Sequence, residues 1–284
     1  MSRILLKTED HSRDSAGMRY VYPVISRRAG GVSVGINLNP NNACNWRCIY
    51  CQVPDLTRGG PPPIDLALLE RELNEFLHGA VAGDFMATRV PAGSRRLVDV
   101  AFSGNGEPTS AREFAAAVGI AERVLVAHGL GGKVPMRLIT NGSLLDRKAV
   151  QAGIAHLGRA GGEVWFKVDS ASDEGLAAIN SYSGGAERQR RNLELCARLC
   201  PTWIQTCWLA IDGRAPSELE RGLYLQQIES LVKANFALRG VLLYSIARDS
   251  YQPEAPRLSP IAERELREFA TEIEQRGVRV EISP

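Results

Sequence analysis

Six times from residue 32 onward, a short apolar run rich in β-branched residues gives way to a stretch of helical periodicity. The runs are VSVGINLN (32–39), LVDVAFSG (97–104), PMRLITN (135–141), EVWFKVD (163–169), WIQTCWLAI (203–211) and GVLLYSI (240–246). Helices are predicted near 64–82, 110–128, 146–158, 186–200, 216–235 and 259–276, with Asp146 and Pro216-Ser217 as start signals. Strand–helix alternation of this kind builds a parallel sheet covered by helices. Six such units, where a closed ring takes eight, predict an α/β fold of the partial (β/α)6 barrel type. A short final run, VRVEI (278–282), is predicted to pair at a sheet edge.

At 284 residues the chain can bury roughly three quarters of its unfolded surface. The expectation is one domain over 1–284, with a barrel core at about 32–246 and a C-terminal helix and edge strand over 259–284. The longer connections, QVPDLTRGGPPP (52–63) and RDSYQPEAPRL (248–258), are too brief to separate domains. A net charge of +2 with 44% hydrophobic residues describes an ordinary globular composition, short of the strongly basic footprint of a dedicated nucleic-acid domain. No apolar run reaches the length of a membrane span, and MSRILLKTEDHSRDS lacks the apolar core of a secretory signal. A cytoplasmic protein is expected.

In barrels of parallel strands, chemistry sits on the loops that follow the C-terminal strand ends. Four polar motifs fall there: a cysteine trio after the first run, Gly104-Asn105-Gly106-Glu107-Pro108 after the second, Thr140-Asn141-Gly142 after the third and Asp169-Ser170 after the fourth. On the fourth strand, alternation sends Val164, Phe166 and Val168 toward the helices and Trp165, Lys167 and Asp169 toward the interior.

The trio is Cys44-Asn-Trp-Arg-Cys48-Ile-Tyr-Cys51, spaced C-x3-C-x2-C. Thiolates are the soft ligands that select iron–sulfur clusters or zinc. Three ligands on a four-iron cube leave one iron open to a small molecule, whereas an electron-transfer cube normally takes four cysteines. Structural zinc asks for four Cys or His ligands, and the nearest downstream histidine, His78, lies inside a predicted helix.

This spacing, with Tyr50 just ahead of the third cysteine, resembles the signature of the radical S-adenosylmethionine (radical SAM) superfamily. The six strand–helix units resemble that superfamily's partial barrel over nearly the whole chain. The runs SVGINLNPNNACNWRCIYCQV, FSGNGEPT and TNGSLL are similar to the branch of iron–sulfur oxidoreductases related to wyosine synthases, which modify a tRNA guanosine. Those synthases carry extra cysteines ahead of the trio, and this chain has none there.

The resemblance implies one 4Fe–4S cluster held by Cys44, Cys48 and Cys51, and S-adenosylmethionine bound at its open iron. It implies reductive cleavage of that cofactor to methionine and a 5′-deoxyadenosyl radical, which abstracts hydrogen from a substrate. Ser103, Gly104, Gly106 and Glu107 then resemble the superfamily's GGEP motif, with Asn105 in place of its second glycine and the carboxylate toward the cofactor's amino group. Tyr50 falls to the adenine, and Asn141, Lys167, Asp169 and Ser170 to further cofactor contacts. A flavodoxin- or ferredoxin-type donor is implied, with a small molecule or peptide as substrate. A tRNA substrate of the wyosine kind, or an electron carrier or zinc module without catalysis, are the alternatives.

A second trio, Cys196, Cys200 and Cys207, reads as buried small hydrophobes. The first two share a helix face on the outside of the barrel, and Cys207 is expected mid-strand with inward parity, so no auxiliary cluster is expected there.

Overall fold

The computed structural model describes residues 5–7, 16–26, 30–236 and 238–283. Its centre is an eight-stranded sheet. In chain order the strands are β1 (Val21–Ser26), β2 (Gly31–Ile36), β3 (Leu97–Phe102), β4 (Met136–Thr140), β5 (Glu163–Lys167), β6 (Thr202–Cys207), β7 (Leu238–Tyr244) and β8 (Val280–Ser283). They lie side by side in that same order. Every neighbouring pair from β2 to β8 is parallel, and β1 runs antiparallel to β2. The sheet curls into the expected partial barrel, with β1 and β8 at its two ends.

Helices α1 (Leu66–Val81), α2 (Phe114–Ala127), α3 (Lys148–Arg159), α4 (Asp173–Asn180), α5 (Ala186–Leu199), α6 (Glu218–Lys233) and α7 (Glu263–Glu274) fill the connections. Neighbours touch in the order α1–α2–α3–α5, and α6 touches α7. Their apolar stripes meet the outer face of the sheet, where Val34, Val100, Phe102, Leu138, Phe166, Ile204 and Leu243 are fully buried. Burying each such side chain is worth about 1.5–3 kcal/mol, so this layer is the main store of stability. The opposite parity lines the inside: Ser33, Asp99, Arg137, Trp165, Lys167 and Gln205 all face one cavity. The alternation read from EVWFKVD is therefore correct, with Val164 and Phe166 outward and Trp165 and Lys167 inward.

The sequence reading departs from the fold in four places. β1 escapes it because Pro23 interrupts an otherwise apolar run; an edge strand tolerates proline, which has no N–H to give a ladder. The run 203–211 is two strands: β6 ends at Cys207, Trp208 N–H donates to Tyr244 O (2.8 Å), and Leu209–Ile211 pairs instead with Leu258–Pro260. α4 escapes it because eight residues with one fully buried leucine, Leu176, show no period. Its start signal is present nonetheless: Ser172 Oγ accepts from Gly175 N (2.9 Å), and Asp173 and Glu174 occupy the first turn. Asp146 does not cap α3, which begins at Lys148; it pairs with Arg188 (2.9 Å). Ser217 does cap α6, accepting from Glu220 N (3.2 Å).

Gly142, in the Thr-Asn-Gly turn after β4, has φ +68°, and a Cβ there would overlap the Phe166 ring. A left-handed non-glycine residue costs about 1–2 kcal/mol and overpacking about 1–3 more. Gly142→Ala should therefore lower the urea midpoint of unfolding by an amount worth at least about 2 kcal/mol, and an unchanged midpoint would refute this account of the turn.

Candidate active site

The cysteine loop between β2 and α1 is tied down on three sides. On the first, asparagine side chains stitch it to the strand ends. Asn37 Oδ1 accepts from Asn39 N (3.0 Å) and Asn105 N (3.1 Å), and Asn39 Nδ2 donates to Ala43 O (2.9 Å). Asn105 Nδ2 donates to Asn42 Oδ1 (2.6 Å), and Asn141 Nδ2 to Asn45 Oδ1 (2.9 Å). On the second side stands the end of α4. Asn180 O and Ile179 O accept from Arg47 N (3.1 Å) and Ile49 N (2.9 Å), and Trp46 packs on Tyr182 with ring centroids 4.9 Å apart. On the third, the 248–258 segment crosses the loop. Glu254 takes both Arg47 Nη atoms (2.9 and 2.6 Å), and Ser250 Oγ donates to Ile49 O (2.7 Å).

The three sulfurs face a cavity of about 460 Å3 at the C-terminal mouth of the barrel. All three cysteines are free thiols. Burial pushes Cys44 up to about 11 and Cys48 up to about 12. Two N–H groups already point at this sulfur set: Trp46 N toward Cys44 Sγ (3.4 Å) and Asn180 Nδ2 toward Cys48 Sγ (3.2 Å). Among the described residues no three His, Cys, Asp or Glu side chains converge as on a single metal ion.

The structure brings most of the predicted site residues to this mouth. Ser103, Gly104, Gly106, Glu107, Asn141 and Lys167 line the cavity beside Tyr50 and the trio. Gly106 is glycine because a Cβ would overlap Ala43 O, next to the first cysteine. Glu107 is 3% exposed and largely occupied from within. Its Oε1 accepts from Thr109 N (3.1 Å), Thr109 Oγ1 (2.6 Å) and Thr140 Oγ1 (2.6 Å), and its Oε2 from Asn141 N (2.7 Å). Burial raises its pKa against these four bonds, which favour the charged form. A carboxylate has about four acceptor positions, so the crowded Oε1 clamps the strand ends and Oε2 keeps room for one more donor.

Asp169 sits just behind the cavity wall, 1% exposed. It accepts from Tyr50 Oη, from Asn180 Nδ2 (2.8 Å) and from Cys207 N (3.0 Å). Lys167 Nζ lies 4.0 Å from the same carboxylate and 5.0 Å over the Tyr50 ring. Burial opposes the Lys167 charge, but Asp169, then Tyr244 and Cys48, outweigh it and hold its pKa above the usual range. Ser170 departs from expectation. It is fully buried and donates to Glu220 Oε2 (2.7 Å), so it ties the connection between β5 and α4 to α6 and is absent from the cavity lining. Its parity opposite to Asp169 carried that signal.

The second trio is split. Cys196 and Cys200 lie in the core between α5 and the sheet, as the helix-face reading predicts. Cys207 is inward, but at the end of β6, where it packs with Ile49 and Leu209. The sequence reading also missed the cavity floor. Arg137 bonds Asp99 and, through Nε, Glu163 Oε1 (2.7 Å), and Ser33 donates to Asp99. Trp165 and Trp203 Nε1 donate to Glu163 at 3.2 and 3.0 Å. Alternating charges at inward parity on three successive strands were the available signal.

The sequence profile of the Radical SAM superfamily matches residues 38–221. The chain belongs to the radical SAM superfamily. Two solved members share the fold of this radical SAM protein. A radical SAM methyltransferase from Sphaerobacter thermophilus superposes with TM-score 0.58 at 15% identity, covering 93% of this chain and 68% of that one. The structure of TYW1 with a lysine-pyruvate adduct bound gives TM-score 0.53 at 13% identity, covering 94% and 78%. A curated sequence match, GTPase Obg of Brachyspira hyodysenteriae, is 22% identical over 151 residues, 53% of this chain. The chain spans only about a fifth (19%) of that relative, and it contains no G-x4-G-K-[ST] phosphate loop.

Glu107→Ala should destabilise the fold by about 2 kcal/mol or more, because Thr140 Oγ1 and Asn141 N–H lose their buried acceptor and each unmade bond costs about 1–3 kcal/mol. Chemical denaturation reads this directly, and a wild-type midpoint would show that the clamp contributes nothing.

Proposed function

We propose that this chain is an enzyme whose Cys44, Cys48 and Cys51 hold a single 4Fe–4S cluster, and whose cavity binds S-adenosylmethionine at the iron they leave open. The observation that carries the reading is the sulfur set itself: three free thiols facing one cavity at the mouth of a parallel barrel, two of them already met by N–H donors. A 4Fe–4S cube takes one thiolate per iron, so three thiols leave one iron open, whereas structural zinc asks for four Cys or His ligands.

When bound, the cluster and cofactor supply one-electron cleavage to methionine and a 5′-deoxyadenosyl radical that takes hydrogen from substrate. The protein's own groups bind and shield. The Trp46 and Asn180 N–H groups steady the sulfur charge. The backbone of the 103–107 loop approaches through Gly104 and Gly106, and the spare position on Glu107 Oε2 suits a cofactor ammonium. Lys167, held charged by Asp169, suits the cofactor carboxylate, and Asn141 steadies the same rim from its bond to Asn45. Tyr50 is fixed by Asp169 and walls the adenine side. The buried Trp46, Ile49 and Val53 keep water from the cluster loop.

A net charge of +2, short of the strongly basic footprint of a dedicated nucleic-acid domain, supports a small molecule or a peptide as substrate. The likeness of the cysteine run to the wyosine branch gives tRNA as the second reading, tested by filter binding across a salt series. A flavodoxin- or ferredoxin-type protein is the proposed electron donor, in the cytoplasm, and a single core domain carries the reaction. Among the described residues no helix is long and apolar enough to cross a membrane.

Anaerobic reconstitution with reductant and S-adenosylmethionine, read by mass spectrometry for 5′-deoxyadenosine, tests the reading. The wild-type chain should form it, and Cys44→Ala, Cys48→Ala and Cys51→Ala should each form none; near wild-type yield from any of the three would overturn the cluster assignment. Lys167→Met should retain iron yet bind S-adenosylmethionine ten- to hundredfold more weakly, since a charge-assisted hydrogen bond is worth about 1.5–3 kcal/mol. An unchanged dissociation constant by calorimetry would remove Lys167 from the cofactor site.

A further inference from the structure

Asn180 is the last residue of α4 and is fully buried. Its Nδ2 makes two donations, 3.2 Å to Cys48 Sγ and 2.8 Å to Asp169 Oδ2. The orientation of the amide follows from its surroundings. Turned over, its oxygen would face a carboxylate and a sulfur, two electron-rich groups, and gain no donor from either. As oriented, both amide hydrogens are spent and Oδ1 is left without a partner among the described residues. An orphaned buried acceptor costs about 1–3 kcal/mol, so the side chain is held here by what its nitrogen does.

We infer that Asn180 is a positioning residue that sets the reduction potential of the cluster through Cys48. The inference rests on the cluster assignment above. A reduced 4Fe–4S cluster carries one more negative charge than the oxidised one, and some of that charge lies on the thiolate sulfurs. A hydrogen-bond donor aimed at a ligand sulfur therefore stabilises the reduced state more than the oxidised, and hydrogen bonds to the sulfurs are among the determinants of cluster potential. Burial of the Asn180 amide strengthens the effect, because no water competes for the donor. The same amide nitrogen grips Asp169, which in turn fixes Tyr50 and faces Lys167. One side chain thus couples the middle cysteine to the polar group behind the cofactor wall.

A bracing role alone would not be confined to this residue. Ser181, the next one along, braces the same loop by donating its Oγ to Arg47 O (3.1 Å), a backbone carbonyl rather than a sulfur. The test reconstitutes wild type, Asn180→Ala, Asn180→Leu and Ser181→Ala anaerobically, measures iron per chain, and follows reduction by EPR-monitored redox titration. Both Asn180 variants should titrate at more negative potential than wild type, so that a smaller fraction of their clusters is reduced at a fixed dithionite poise. Ser181→Ala should titrate with wild type. Should Asn180→Ala fail to load iron, Asn180→Leu, which keeps the branched shape and loses the donor without adding charge, supplies the comparison. Wild-type potential in the Asn180 variants, or an equal shift in Ser181→Ala, overturns the inference. Loss of iron from both Asn180 variants while Ser181→Ala loads overturns it too, because retention would then be the role. A wild-type chain that takes up no iron would instead sink the cluster assignment.

Discussion

The buried carboxylate of Asp169 is the junction on which the site depends. Removing a charge from water costs several kcal/mol unless partners replace the lost hydration. Here they come from four separate segments of the chain: the Tyr50 hydroxyl from the cysteine loop, the Asn180 amide from α4, the Cys207 N–H from β6, and the Lys167 ammonium from the carboxylate's own strand. The cysteine loop and β6 lie far in sequence from β5 and α4. The charge is satisfied only when strand, helix and loop are all in place, so one residue makes the geometry of the mouth cooperative with the fold beneath it.

Deeper in the barrel a different arrangement serves the same end. Asp99, Arg137 and Glu163 run across three adjacent strands with Ser33, Trp165 and Trp203 completing their bonds. A ladder of this kind adds little stability over an apolar floor. It does keep the interior polar and hollow, where large apolar side chains would close it as they close the centre of a full barrel. Higher up, the stitching of the cysteine loop is done mostly by neutral amides. Such bonds are not screened by salt and do not titrate.

The sequence made the architecture legible because strand and helix periods differ and six units repeat them. Inward and outward parity on β5 followed from alternation alone. The mouth was legible for a similar reason: polar motifs recurred at the ends of successive strands. What escaped reading has physical causes. The Pro23 strand survives only because it is an edge, and α4 is too short to display a period. The partners of Glu107 lie one strand away, beyond any local pattern, so its clamping of Thr140 and Asn141 was invisible. Ser170 shows the limit of adjacency: next to Asp169 in sequence, it lies on the opposite face of the sheet. The bracket formed by α4 and the 248–258 segment is purely tertiary, and no spacing in the chain announces it.

The two turns that carry Asn105-Gly106 and Asn141-Gly142 have a chemical consequence of their own. In a mobile chain an asparagine followed by glycine is prone to deamidation, because the unhindered glycine nitrogen attacks the side-chain carbonyl carbon. Here Gly142 N–H is committed to Thr140 Oγ1 (3.0 Å), and the Asn141 amide is held by Asn45 and Ser143. The Asn105 amide is likewise committed to Asn42 (2.6 Å). Folding therefore acts as a preservative for both pairs. Each excursion that opens the mouth lets this clock run, and every event leaves a permanent negative charge where the cysteine loop is stitched to the barrel.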